Sequence, residues 1–232
     1  MPQTTVISFF KYKGAKYKWH ALGRMGRPPL LNRNIQGLTF WKPLGSGSGN
    51  GFSVWPDFST FGLLTVFKTE EEALQFLESD VVSAYLENSS HFSHVLMHSI
   101  KAHGQWSKQE PFLASTSYDA TKPIAVITRA TIKPKLAYKF WRYVPSVSKS
   151  MIGHKGLIFS KGIGEWPILM QATFSLWETG DDMMMYAYKN PKHADMVKKT
   201  RELDWYAEEL FSRFHPFEIR GNLLPNIVHT VF

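Results

Sequence analysis

Cysteine is absent from this 232-residue chain. That removes disulfides, thiolate zinc sites, iron–sulfur clusters and any cysteine-ligated metal cofactor, and it is compatible with a reducing cytoplasm. Long apolar runs are absent too: no stretch approaches the roughly 20 residues that a bilayer-crossing helix needs. Met1 leads directly into Thr5–Tyr12, which has neither the h-region nor the cleavage site of a signal peptide. The expectation is a soluble, cytoplasmic protein, at most peripheral at the inner membrane face. Acidic residues are missing from the first 56 positions, which carry eight basic ones (Lys11, Lys13, Lys16, Lys18, Arg24, Arg27, Arg33 and Lys42) before Asp57. Nucleic acid, anionic lipid, an anionic cofactor or plain solvent could each face such a patch. No DNA- or RNA-binding signature accompanies it, so no nucleic-acid partner is expected. There is no GxSxG elbow and no paired-carboxylate arrangement. The histidines at 20, 91, 94, 98, 103, 154, 215 and 229 form no zinc spacing. His94 and His98 stand four apart, as on one helix face, and surface exposure is expected for them.

Aromatic residues, by contrast, are abundant: 17 Phe, 9 Tyr and 8 Trp make up 15% of the chain. Such side chains fill cores, and they also line pockets for flat or long apolar ligands.

The strongest internal signal is a repeat. Val6–Tyr12 and Ile124–Ile132 are β-branched or aromatic runs, hence strands. Helical stretches follow each, Tyr17–Met25 (extending towards Asn32) and Leu136–Met151. Gly37–Lys42 (GLTFWK) and Gly156–Lys161 (GLIFSK) then match at four of six positions. Gly45-Ser-Gly47 and Gly162-Ile-Gly164 are expected to break the chain after these strands. Phe61–Phe67 and Leu169–Trp177 are the next strands. Each runs into a threonine with carboxylates behind it, the signal of a helix start. The predicted helices are Glu70–Leu77 with a continuation, and Asp182–Tyr188 with a long continuation through Phe211. Short strands, His98–Ala102 and Phe217–Arg220, end the two halves.

Both halves therefore read βαββαβ, the ferredoxin-like module. A sheet covered by helices on one face needs cover on the other. Two such sheets satisfy each other, so the expected fold is α+β, tandem ferredoxin-like repeats forming a dimeric α+β barrel within one chain, with the reaction site inside. The expected division is 1–106 for the first repeat, 107–122 for the linker and 123–232 for the second repeat. Pro43–Ser59, with its GSGSGNG string, reads as a rim loop. It lacks the Lys-Ser/Thr ending of a phosphate loop.

Few residues stand out for chemistry. Asn190 and Pro191 suit a fresh helix start, which puts His193 in a first turn, where the helix dipole keeps imidazole neutral and able to bind metal. One neutral histidine cannot hold zinc or non-haem iron, but it can ligate haem, whose porphyrin supplies four donors. The ordinary alternative is a surface or internally satisfied histidine. Arg129, in a β-branched strand, either points to water or meets an anion, a carboxylate or a bound oxygen species. Lys42 and Lys161, equivalent in the two repeats, face the same choice, and their repetition favours a structural role.

The chain resembles the spheroidene monooxygenase family from Ser8 to Phe214. The carrying segments are Ser8-Phe9-Phe10, Gly37-Leu-Thr-Phe-Trp-Lys42 with Gly45-Ser-Gly-Ser-Gly49, Thr128-Arg-Ala-Thr-Ile132, Phe140-Trp141, Gly162-Ile-Gly-Glu165 and Trp205-Tyr-Ala-Glu-Glu-Leu210. The resemblance implies a haem b oxygenase that adds oxygen to acyclic carotenoids, first as hydroxyl and then as ketone. It implies O2 and a ferredoxin-type electron donor as partners, and it leaves peripheral membrane contact and a homo-oligomer open. It implies His193 as the iron ligand and Arg129 as the leading distal residue, with Lys161, Gln171 and Trp41 as weaker candidates. The composition here is rich in Lys, Asn, Phe and Ile where purple-bacterial members favour Ala and Arg, which leaves the substrate open. Three other readings remain, a haem lyase of the aldoxime dehydratase type, a non-enzymatic haem-binding or small-ligand-binding barrel, and a cofactor-free oxygenase on the same fold.

Overall fold

The computed structural model describes residues 2–28, 34–49, 53, 55–151, 153–166 and 168–225, without the side chains of 24, 144–150, 192–194, 196, 197 and 201. The first half runs β1 (Thr4–Tyr12), α1 (Ala15–Gly26), β2 (Leu38–Gly47), β3 (Pro56–Phe67), α2 (Glu70–Leu77), α3 (Asp80–Leu86) and β4 (Ser89–Gly104). The second runs β5 (Ile124–Ile132), a 3-10 turn, α4 (Ala137–Met151), β6 (Leu157–Trp166), β7 (Met170–Trp177), α5 (Gly180–Lys189), α6 (Pro191–Leu203) and β8 (Tyr206–Gly221). All strands pair antiparallel and close into one barrel, β1-β3-β2-β6-β7-β5-β8-β4. Each half supplies four consecutive strands in the ferredoxin-like order, so the expected α+β repeat architecture is what forms. Among the described residues no helix is long and apolar enough to cross a membrane.

The repeated sequence signals have repeated causes. Thr69 and Thr179 cap α2 and α5 by accepting from the Glu72 and Asp182 amides, at 3.3 and 3.1 Å. Gly37 and Gly156 open the matched hexapeptides at φ +69° and +76°, beside those same acids. A Cβ would lie 2.0 Å from Glu72 Cδ and 2.4 Å from Asp182 Cγ. Glycine is required at both places by sterics and by backbone angle.

Several expectations are corrected. The Gly-Ser-Gly and Gly-Ile-Gly strings do not break the chain but continue β2 and β6, and they meet in the short seam Gly45↔Gly164, Ser46↔Ile163. There the absence of side chains serves close approach: a Cβ on Gly164 would lie 2.4 Å from the Met170 carbonyl oxygen. The loop expected over Pro43–Ser59 is correspondingly shorter. Helix does not continue through Phe211, because α6 ends at Leu203 and Asp204 adopts φ 44°. From Leu210 to Phe214 burial alternates residue by residue, the period of a strand. The closing strands are far longer than expected, 16 residues each in β4 and β8. His94 and His98 lie on β4, not on a helix, and His94 is buried, with Nδ1 2.7 Å from Ser8 Oγ.

The barrel interior is a packed core. Ile7, Phe9, Leu64, Val95, Ile127, Phe174, Leu176 and Phe214 fill it, and Trp106 and Phe112 enter it from the segment joining the repeats. Eight strands enclose about enough room for side chains and no more. The described residues of the barrel interior leave no room there for a ligand of porphyrin size, so the expected reaction site inside the barrel is sought on the sheet's outer faces.

Candidate functional site

Strand register decides which candidate residues can meet. Arg129 sits opposite Ala172 and Leu210, both interior residues, so it points into one mouth of the barrel. It is buried and pairs with Glu208, and its second nitrogen lies 3.6 Å from Glu165. Its guanidinium also lies 5.6 Å from the centre of the Trp106 ring. Lys42 Nζ reaches Glu165 at 2.8 Å, and Trp106 Nε1 donates to the same carboxylate at 2.6 Å. Burial alone would raise the Glu208 pKa, but donation from the Lys108 and Ser107 amides and the Arg129 charge hold it below the ordinary value. Of the two alternatives open to Arg129, the carboxylate one is realised.

Lys161 is the repeat-equivalent of Lys42 and also faces inward, opposite Phe174. Its Nζ meets Asp57 at 2.9 Å. Burial would raise the Asp57 pKa, yet hydrogen bonds from Ser59 and Lys161 hold it down at about 2. Each lysine thus pairs with an acid of the other repeat, which braces the two halves across the short β2–β6 seam. Trp41 lies opposite Thr65, on the helix-covered face of the first repeat, packed against that repeat's core. Gln171 lies opposite Ala130, on the helix-covered face of the second repeat. Arg129, Lys161, Trp41 and Gln171 therefore do not form one constellation. The His193 side chain lies outside the described residues; its backbone belongs to α6, which starts at Pro191 as expected.

What sequence reasoning missed becomes visible when the two helix-covered sheet faces are superposed by register. In the first repeat that face carries Val6, Ser8, Phe10, Phe61, Leu63, Trp41 and Pro43. At the equivalent positions the second repeat carries Val126, Thr128, Ala130, Gln171, Thr173, Ser160 and Gly162. Phe becomes Ala, Leu becomes Thr, Trp becomes Ser. The first face belongs to one continuous apolar cluster that includes Phe10, Phe61, Phe67, Phe76, Val82 and Tyr85. The second face has two separate clusters, one around Ile124, Trp177, Met183 and Tyr186, the other around Ile132, Phe140 and Trp205. Between them lies a floor of small side chains.

The helices differ in the same sense. α1 packs directly on β1, β2 and β3, and α3 on β4. Among the described residues α4 packs chiefly on α6, α6 packs equally on α4 and α5, and α5 also rests on β7 of the sheet. α4 joins the sheet clusters near its two ends, through Phe140 and through Met151, whose sulfur accepts from Ser160 Oγ at 3.2 Å. The α4 side chains between them, 144–150, lie outside the described residues. Two buried polar atoms on this face, Thr173 Oγ1 and Arg213 Nε, have no hydrogen-bond partner among the described residues. A floor of small side chains with an apolar cluster at either end fits a flat ligand. No group of three or more His, Asp or Glu that could hold a metal occurs among the described residues.

No protein-family model matches the chain. Curated proteins do. The chain is 32% identical over 214 residues to the spheroidene monooxygenase of Cereibacter sphaeroides, covering 91% of this chain but 66% of that protein, just under two thirds of its length. It is 30% identical over 223 residues to the spheroidene monooxygenase of Rhodobacter capsulatus, covering 93% of this chain and 91% of that one. The Rubrivivax gelatinosus spheroidene monooxygenase is 33% identical over 197 residues, with 84% and 75% covered. Among solved structures, an aldoxime dehydratase in complex with butyraldoxime superposes with TM-score 0.60 at 9% identity, covering 93% of this chain and 80% of that chain. A second aldoxime dehydratase gives 0.57 at 11% identity, with 92% and 82% covered. At such identities these two speak for the fold alone.

Proposed function

The chain belongs to the spheroidene monooxygenase family, and from that premise we propose that it is a haem-dependent monooxygenase that hydroxylates or ketonises an acyclic carotenoid or a similarly long apolar substrate. The observation that carries the reading is the helix-covered face of the second sheet, where Ala130, Thr173 and Ser160 stand in place of Phe10, Leu63 and Trp41; the reading assigns this face to the cofactor as its bay. His193, whose backbone lies in the first turn of α6, would hold the iron. Haem, when bound and supplied with electrons by a ferredoxin-type donor, activates O2.

The chain's own residues do the rest. Thr173 and Gln171 stand on the floor of this face, and Arg213 flanks it opposite Val126. A hydroxyl, a guanidinium and an amide there can donate hydrogen bonds to bound oxygen or to a carboxylate. The Trp177–Tyr186 stack at one end and the Phe140–Trp205 edge contact at the other exclude water from the space between. In this reading Arg129 and Lys161 brace the barrel and do not touch the reacting atoms.

The test is an absorption spectrum of protein loaded with haem, for wild type and for His193→Ala. A Soret band in wild type that is lost or markedly shifted in the variant is the expected outcome. A wild type without a Soret band removes haem from the proposal. Identical bands in both remove His193. Reductant-dependent oxygen uptake with an acyclic carotenoid then separates an oxygenase from a lyase or a carrier.

A further inference from the structure

The β6–β7 turn and the start of α4 form an exposed surface that the preceding reading leaves unused. Trp166 is 64% exposed, Ile168 44% and Tyr138 75%. Large apolar side chains do stand singly on surfaces, but these are held together. Trp141 Nε1 donates to the Ile168 carbonyl at 3.0 Å, which ties the turn to α4. Ile168 adopts φ 71°, a conformation that β-branched residues rarely accept, so an isoleucine is kept at the tip against its preference. Gln171, on the floor of the bay, donates to the Trp166 carbonyl at 3.2 Å, which places the tip beside the site.

Basic charge predominates along the chain leading to this tip. From residue 120 to residue 164 the chain has nine basic residues and no acidic one. Lys135, Lys139 and Arg142 are exposed at the α4 start, at helical spacing around Tyr138. None of the three has a carboxylate partner among the described residues. The acids bonded nearby are already engaged, Asp204 by Lys133 at 2.7 Å and Glu165 by Lys42 and Trp106. Aromatic and aliphatic tips ringed by cations suit the headgroup layer of an anionic bilayer: Trp and Tyr seat at the interface, Ile enters below it, and Lys and Arg meet the phosphates. An acidic protein partner would call for the cations but not for an exposed Trp and Ile.

We propose that this surface docks the protein on anionic membranes, with the β6–β7 tip inserted and the α4 cations on the headgroups. The further consequence, that an apolar substrate passes from the bilayer past Gln171 into the bay, rests on the function proposed above. The docking itself does not.

The experiment is co-sedimentation with phosphatidylcholine vesicles and with vesicles containing phosphatidylglycerol, together with tryptophan emission. Wild type is expected to bind the anionic vesicles and to shift its emission to the blue. Neutralising Lys135, Lys139 and Arg142 to Gln should weaken that binding by on the order of a hundredfold, about fivefold for each charge. Trp166→Gln with Ile168→Asn, the latter suited to positive φ, should abolish the blue shift and lower binding at least about tenfold while the protein stays folded by circular dichroism. Wild-type binding by the tip variant overturns the proposal. So does loss of binding on mutating Trp19 and Trp55, at the first repeat's exposed aromatics, with the tip variant unaffected. A charge variant that loses binding beside a tip variant that keeps both binding and emission shift would mark a polar protein dock and also overturn it. Haem uptake by the tip variant should equal wild type, so a missing Soret band would count against the proposed function while vesicle binding is read separately.

Discussion

Refilling the bay with the first repeat's own residues is a severe check on the site. Register equates Ala130 with Phe10 and Thr173 with Leu63, so Ala130→Phe with Thr173→Leu restores what the first repeat carries. Burying a phenylalanine or leucine side chain that would otherwise stand in water contributes about 1.5–3 kcal/mol. Replacing the Thr173 hydroxyl, buried and without a partner among the described residues, removes a desolvation penalty of about 1 kcal/mol or more. If the bay is open in the haem-free protein, the double variant should gain about 2–4 kcal/mol of unfolding free energy, measured by urea denaturation without haem. Its haem affinity, read by Soret titration, should fall at least about a hundredfold, since each 1.4 kcal/mol of lost binding is tenfold. Were α4 and α6 already packed tightly on this face, the added volume would instead cost about 1–3 kcal/mol per site. A destabilised variant, or one that takes up haem like wild type, refutes the bay. The reciprocal change, Phe10→Ala with Leu63→Thr, should destabilise by several kcal/mol and create no haem site.

Two further outcomes follow from the buried groups. His94 is buried against Ser8, and burial, helped by the nearby Arg220 charge, pushes its pKa down to about 4 from 6.5. Its folded form stays neutral where the unfolded chain takes up a proton, so stability is full above about pH 6.5 and falls as pH drops towards 4. The loss approaches about 3 kcal/mol, at 1.36 kcal/mol per pH unit. Urea denaturation at several pH values should show this slope in wild type and lose it in His94→Phe; an unchanged slope contradicts the assignment. Arg129→Met leaves Glu208 and Glu165 without their shared cation, though Lys42, Trp106 and two backbone amides still serve them. The cost should be about 3 kcal/mol, the lower end for a broken buried pair, with the Soret spectrum preserved. A stable variant that loses haem would restore Arg129 to the site.

The repeat was legible because its signals are local. A glycine that must turn beside a capping carboxylate, a threonine that caps, and an alternating apolar run each act over a few residues, so they recur wherever the module recurs. The helix expected through Phe211 failed for the opposite reason. Ala207, Glu208, Glu209 and Leu210 are good helix formers by propensity, and only pairing with β5 and β4 makes a strand the better outcome for them. His94 failed likewise, because four-residue spacing fits a helix face and also one face of a strand, and tertiary context alone chooses between them.

The sequence by itself determined the βαββαβ order twice over, the two helix caps, the start of α6 at Pro191 and the family to which the chain belongs. Only the tertiary structure decided which side of each strand faces which partner. Arg129 and Lys161 turn inward to acids, because a cation in a packed interior is tolerated only beside a carboxylate. Ala130, Thr173 and Gly162 turn outward to the helix-covered face, and nothing in their order along the chain announces that they form one surface. Small residues carry no signal of their own; they become a site only when three strands lay them side by side and a helix passes above.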